Sequence, residues 1–231
     1  MSHSDWFYFI VFGGFFGLLF LIVEIVYSKF HLSAEFTRKL LHVIIGITSA
    51  TFCYLFKGHL AVLLLALLFY AVLGFGKRFN FMKSIHDVKR HSYGGVIFPL
   101  SIWLIFFLNK VTGSPYFYFE ISILILSISD AVATLGGIFV PENIGNRNLN
   151  SLVLSEYKTR LGSLFFFVSS FFVVLFKMLQ IPDYTIYSKL LFVTVIPVFS
   201  TLIEAFSKKG FDNLLIPLSI WFIFILEQYM I

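Results

Sequence analysis

The chain is poor in what holds a secreted or cytosolic domain together and keeps it in water. One cysteine, Cys53, excludes an internal disulfide and any metal site built on several cysteines. Charged residues make up 13% of the chain, roughly half the share of a soluble domain. No Pro-, Ser- or Gly-rich stretch divides the sequence, so a single integral membrane domain over 1–231 is expected. The string G-x-x-x-x-G-K-[ST] is missing, which excludes a Walker A phosphate loop. The first residues, MSHSDWFY, have no positive leader and no A-x-A-like site follows them. The first apolar span is therefore expected to stay in the membrane.

What is present is apolar. Hydrophobic residues account for 59% of the chain, gathered in long runs. A helix needs about 20 mostly apolar residues to cross a bilayer. Spans are expected near 6–27, 36–56, 59–76, 94–109, 116–139, 161–180, 185–206 and 213–230. The fold class is all-α, a polytopic transmembrane bundle of about eight spans, because lipid leaves no water to satisfy open backbone. The net charge of +5 would suggest nucleic acid in a soluble protein. Here it belongs to membrane-flanking lysines and arginines, and no nucleic-acid partner is expected.

Most of the 17 basic residues fall in alternate loops. Lys29, Arg38 and Lys39 follow the first span; Lys77, Arg78, Lys83, Lys89 and Arg90 the third; Arg147, Lys158 and Arg160 the fifth; Lys208 and Lys209 the seventh. The positive-inside rule then places these loops in the cytoplasm and both termini outside. Residues 97–108 (IFPLSIWLIFFL) and 215–226 (LIPLSIWFIFIL) are identical at eight of twelve positions. Two readings fit: a parallel repeat of four plus four spans, or the resemblance of apolar helices drawn from a small alphabet.

Charge near lipid is expensive, and it persists where it has a task or a partner. Five polar clusters lie at the cytoplasmic side. Glu35, Arg38, Lys39 and His42 share one face of a helix. Arg38 and Lys39 suit phosphate oxygens with His42 deeper, or they snorkel to the interface. The run Arg90-His91-Ser92-Tyr93-Gly94-Gly95 opens a span, where glycine lets backbone approach a ligand and free N–H groups face an anion. Asp130 stands among small residues inside the fifth span, as a metal ligand or a counter-ion. Lys158, Thr159, Gly162 and Ser163 open the sixth, a basic and hydroxyl-bearing phosphate cradle or a charged flank. Glu204, Asp212 and Asn213 bracket the last turn. They suit magnesium, which takes oxygen ligands, or helix capping. Glu24 is expected to pair with Lys29 or Arg38.

In order, these clusters read R-K-x-x-H, R-x-S-x-G-G-x-x-F-P, S-D-A-x-A-x-x-G, K-T-x-x-G-S and E-A-x(6)-D-N-x-x-x-P. Over roughly residues 35–220 the pattern resembles the CTP-dependent lipid-alcohol kinases, which include dolichol kinase, phytol kinase and a CTP-using diacylglycerol kinase. The resemblance implies a kinase that moves the γ-phosphate of cytosolic CTP to a membrane alcohol: a polyprenol, a phytol-like alcohol or diacylglycerol. It implies Asp130, Glu204 and Asp212 as catalytic and magnesium-binding carboxylates. Arg38, Lys39, His42, Arg90, Ser92, Gly94, Gly95, Lys158, Thr159, Gly162, Ser163 and Asn213 would then meet the nucleotide. A compact chain of this kind suits a bacterial inner membrane. Two departures stand out. Leu161 occupies a position where many relatives carry glutamate, and the D-P-A-A form of the aspartate motif is replaced by Asp130-Ala131-Val132-Ala133. Phosphatidate cytidylyltransferases look related but end in H-G-G-x-x-D-R, where this chain has E-A-F and D-N-L-L-I-P. A transporter of an anionic solute would need polar residues continuing to the far face, and few are there.

Overall fold

The structure, a computed structural model, describes residues 1–79, 82–86, 93–139 and 158–230. Arg90 and Ser92 lie outside the described residues. The elements are α1 (His3–Phe30), α2 (Ala34–Ala50), α3 (Phe52–Leu55), α4 (His59–Arg78), α5 (Lys83–His86), α6 (Gly94–Val111), α7 (Tyr116–Leu124), a π-helical turn (Ile125–Ser129), α8 (Asp130–Phe139), α9 (Arg160–Leu179), α10 (Ile186–Phe206) and α11 (Asp212–Met230). No strand is present among the described residues, and the chain is a helical, polytopic membrane protein.

Among the described residues six helical stretches are long and apolar enough to cross a membrane, against the eight spans expected. The two that differ are α2 and α11. The expected span 36–56 breaks at Thr51, so α2 is only 17 residues long, and it buries Lys39 and His42. Asp212 opens α11, which is 19 residues long, and Glu227 and Gln228 stand near its end.

Side-chain caps fix the helix starts. Ser2 and Asp5 form a reciprocal capping box on α1. Asp5 also accepts the backbone N–H of Lys57 at 2.8 Å, which ties α1 to the turn before α4. Ser33, Thr159 and Thr185 cap α2, α9 and α10 in the same way, each meeting an orphan N–H of the first turn.

The stretch from α7 through α8 is the axle of the bundle. It is 61% buried, whereas α1 is 17% buried and faces outward. It packs on α2, α6, α9 and α11. Its π turn ends immediately before Asp130, an irregularity that re-aims the following residue and recurs at functional sites. Close approach sets the neighbours' positions. A Cβ on Gly46 of α2 would overlap the Ser127 side chain, one on Gly136 would overlap the Phe165 ring, and one on Gly162 would press at 3.2 Å on the Ala133 carbonyl.

We therefore expect Gly46→Ala to lower the thermal unfolding midpoint, at a cost of about 1–3 kcal/mol for forcing two helices apart. The overlap includes Ser127 Cβ, so Ser127→Gly in the same chain should restore the midpoint and Ser127→Ala should not. Thermal unfolding of the detergent-solubilised variants reads this directly.

Candidate active site

The polar clusters gather at one end of the bundle, where α1, α4, α8 and α10 finish and α2, α6, α9 and α11 begin. Two ion-pair groups form there. In the first, Lys39 donates to Asp130 Oδ2, both side chains being buried. His42 Nε2 lies 3.6 Å from the same oxygen and 3.3 Å from the Leu126 carbonyl, and its ring stacks on Phe98 at 3.8 Å. Leu126 belongs to the π turn.

In the second group, Lys158 Nζ sits 2.8 Å from Glu204 Oε1 and 2.9 Å from Asp212 Oδ2, and it also donates to the Glu204 carbonyl. Ser163 Oγ donates to Glu204 Oε2 at 3.2 Å. Burial pulls the Lys158 ammonium down, but Asp212, Glu204 and Asp130 together hold it above the usual lysine range. Asp130 thus acts on Lys158 as well as on Lys39, and the two groups form one electrostatic neighbourhood.

Asn213 locks the helix starts together. Its side-chain amide donates to the Gly94 carbonyl at 2.9 Å, and the Tyr93 N–H meets the Lys209 carbonyl at 2.9 Å. Arg38 forks onto Glu35 at 2.7 and 2.9 Å, one turn back on α2, while its Nε is buried without a hydrogen-bond partner.

A cavity with about 540 Å³ of free space, counted to its open mouth, lies against this end. Arg38, Lys39, His42, Asp130, Asn213 and the Gly94-Gly95 pair line its polar part. Phe20, Leu41, Ile45, Phe69, Leu73 and Phe98 line the rest. A charged head and an apolar body is the shape that takes an amphiphile.

The structure thus brings Arg38, Lys39, His42, Gly94, Gly95, Asp130 and Asn213 to one cavity, and Lys158, Ser163, Glu204 and Asp212 to its flank. Two residues expected at the nucleotide have structural tasks. The Thr159 hydroxyl caps α9 by accepting the Gly162 N–H at 3.0 Å, and Gly162 is needed for the α8–α9 contact. Glu24 meets neither Lys29 nor Arg38 in the way expected. Its two oxygens accept the N–H groups of Lys83 and Ser84 at 3.1 Å each. Ser84 in turn accepts the Thr37 hydroxyl at 2.7 Å. Glu24 so fixes α5, whose Ile85 lines the cavity. No sequence signal foretold this, because the partners are backbone groups about sixty residues away.

Glu24→Gln should weaken this tether by about 1–2 kcal/mol, the difference between charged and neutral acceptors. Hydrogen exchange at the Lys83 and Ser84 amides should speed up while amides of α8 keep their protection.

The apolar, membrane-length helices define an integral membrane protein, and its buried charges converge on an amphiphile-shaped cavity at one end of the bundle. The chain is 30% identical over 189 residues to a phytol kinase of Synechocystis sp., a match covering 80% of this chain and 76% of that protein. It belongs to this lipid-alcohol kinase family. No family model matches the chain. No solved structure matches it.

Proposed function

We propose that the protein transfers the γ-phosphoryl group of CTP to the hydroxyl of an isoprenoid-type lipid alcohol, at the cytoplasmic face of the membrane and with both termini outside. The observation that carries the reading is the cavity. Its charged end holds Lys39, Asp130 and the unsatisfied Arg38 Nε, and its walls are apolar. The relative at 30% identity is a phytol kinase, which supports an alcohol as acceptor.

Phosphoryl transfer asks mainly for alignment and for charge neutralisation. The acceptor hydroxyl enters beside Asp130, the carboxylate in the cavity wall. Its oxygen forms a bond to the γ-phosphorus as the bond to the bridging oxygen breaks and CDP leaves. Asp130 takes the hydroxyl proton. Arg38, Lys39 and Lys158 balance the charge that spreads over the transferring oxygens. Backbone at Gly94-Gly95 borders the same space.

Magnesium fits the donor set. Among the described residues no three His, Cys, Asp or Glu side chains form a ready metal cage. Magnesium carried by a nucleotide takes only one or two carboxylates from the protein, and Glu204 and Asp212 supply such a pair. When bound, the ion would neutralise phosphate oxygens.

The test is purified protein in lipid nanodiscs with CTP, magnesium and a panel of alcohols, followed by product identification. The reading expects CDP and a lipid monophosphate. Pyrophosphate with a CDP-lipid would mean cytidylyl transfer instead. No turnover with any alcohol or nucleotide would sink the proposal.

A further inference from the structure

A second cavity adjoins the site's cavity. It spans about 270 Å³, counted to its open mouth, and shares the lining residues Ile45, Phe69 and Pro99 with the first. Its other walls are Phe16 of α1, Ser49 of α2, Phe52 of α3, Val62, Leu65 and Ala66 of α4, and Ile102 of α6. All but one of these side chains are apolar. Both cavities lie in the same seam, between α2 and the tightly packed α4–α6 pair, with α1 as a wall. Lys39 marks the charged end of α2 and Ser49 the deep end, about 15 Å apart along the helix. Beyond Ser49 the seam is stopped by rings. Phe52 meets Phe12 and Phe56 at 5.0 and 5.1 Å, and Phe52 and Phe56 are buried.

We propose that this seam is the tail channel of the acceptor and that its closed end measures chain length. The proposal rests on the kinase reading for the position of the head group. An apolar cavity stays dry, so in the bilayer it is filled by hydrocarbon or collapses. Its one polar end is the site itself, so an alkyl chain in the seam carries its hydroxyl to Asp130. About 15 Å admits a short isoprenoid or fatty chain; a polyprenol of many units would have to leave through the wall. Ala66, Ser49 and the Phe12–Phe52–Phe56 stopper are the residues that set the limit.

The experiment is photolabelling without nucleotide, using diazirine analogues of geraniol and geranylgeraniol on the protein in nanodiscs, with crosslinked residues mapped by mass spectrometry. Label should fall on α2, α4 and α6 residues of the seam, and unlabelled geranylgeraniol should compete it away. Ala66→Phe should cut geranylgeraniol labelling roughly tenfold and leave geraniol labelling nearly unchanged, a difference of about 1.4 kcal/mol between the two probes. Should that variant fail to fold, the map on the unaltered protein still decides. Label confined to outward residues such as Phe172 and Phe176 of α9 would overturn the channel. So would label that geranylgeraniol does not compete, since bilayer chains would then be the occupants. Because no turnover is needed, a labelled channel in a protein without kinase activity would remove the kinase reading and keep the binding site. Kinase activity with label elsewhere would do the reverse.

Discussion

Asp130→Asn is expected to remove phosphorylation, by a factor of roughly a thousand or more, since it takes away the proton acceptor and a full charge at the reacting centre. The variant also leaves Lys39 buried without its counter-ion, which costs about 3–5 kcal/mol of stability. Loss of activity alone would therefore be ambiguous. The pair Lys39→Met with Asp130→Asn separates stability from chemistry, because two neutral side chains of similar volume need no partner, and Lys39→Met alone gives the activity baseline for the lost cation. Thermal stability should return close to that of the parent and activity should stay absent. If the double variant regained activity with stability, Asp130 would be a structural counter-ion and no more. Thermal unfolding and single-turnover phosphorylation on the same preparations decide between these outcomes.

Lys158→Met carries the second large effect. Lys158 is the cation between Glu204 and Asp212, and Asp130 adds to the negative field around it. Without it, two carboxylates face each other at partial burial, and like charges so placed repel. The account expects a thermal midpoint several degrees lower, and activity reduced by about a hundredfold or more through lost neutralisation of the nucleotide phosphates. Adding Glu204→Gln should recover the midpoint by removing one of the repelling charges. Activity should remain low, because the cation proposed to balance the nucleotide phosphates is still gone. Recovery of activity along with stability would show that Lys158 acts only as a brace.

Much of the site was legible because charge in an apolar chain is costly enough to be informative. Asp130 stood out on that ground alone, and the structure finds it buried at the centre of the polar end. The i, i+3, i+4, i+7 spacing put Arg38, Lys39 and His42 on one helix face, and they share one cavity. The pairings could not be read. Lys39 turns to Asp130, 91 positions away, and Arg38 to Glu35 on its own helix. Spacing reports a shared face and says nothing of which opposite charge the tertiary packing brings near. Gly162 shows the converse. A glycine at a helix start suits a phosphate and suits a close helix crossing equally, and the structure shows the close crossing, with the Ala133 carbonyl 3.2 Å from its would-be Cβ. The break of α2 at Thr51 and the π turn before Asp130 escaped hydropathy for a simpler reason: both sit inside apolar runs whose interruptions are uncharged serines and threonines.

The two twelve-residue segments that look alike, 97–108 and 215–226, also lie together. Pro99 and Pro217 occupy matching places in α6 and α11, and those helices pack against each other. Their starts are joined by Asn213 and Gly94, so the polar end of the cavity is assembled from both.

The central claim is that this polar end moves a terminal phosphoryl group onto a membrane alcohol. The most direct measurement supplies purified protein with CTP labelled at the γ-phosphorus in one sample and at the α-phosphorus in another, together with phytol and magnesium. The account predicts label in the lipid from the γ-position only, with the α-label recovered in CDP. Label reaching the lipid from the α-position, or from neither when other alcohols and nucleotides are supplied in turn, would contradict it.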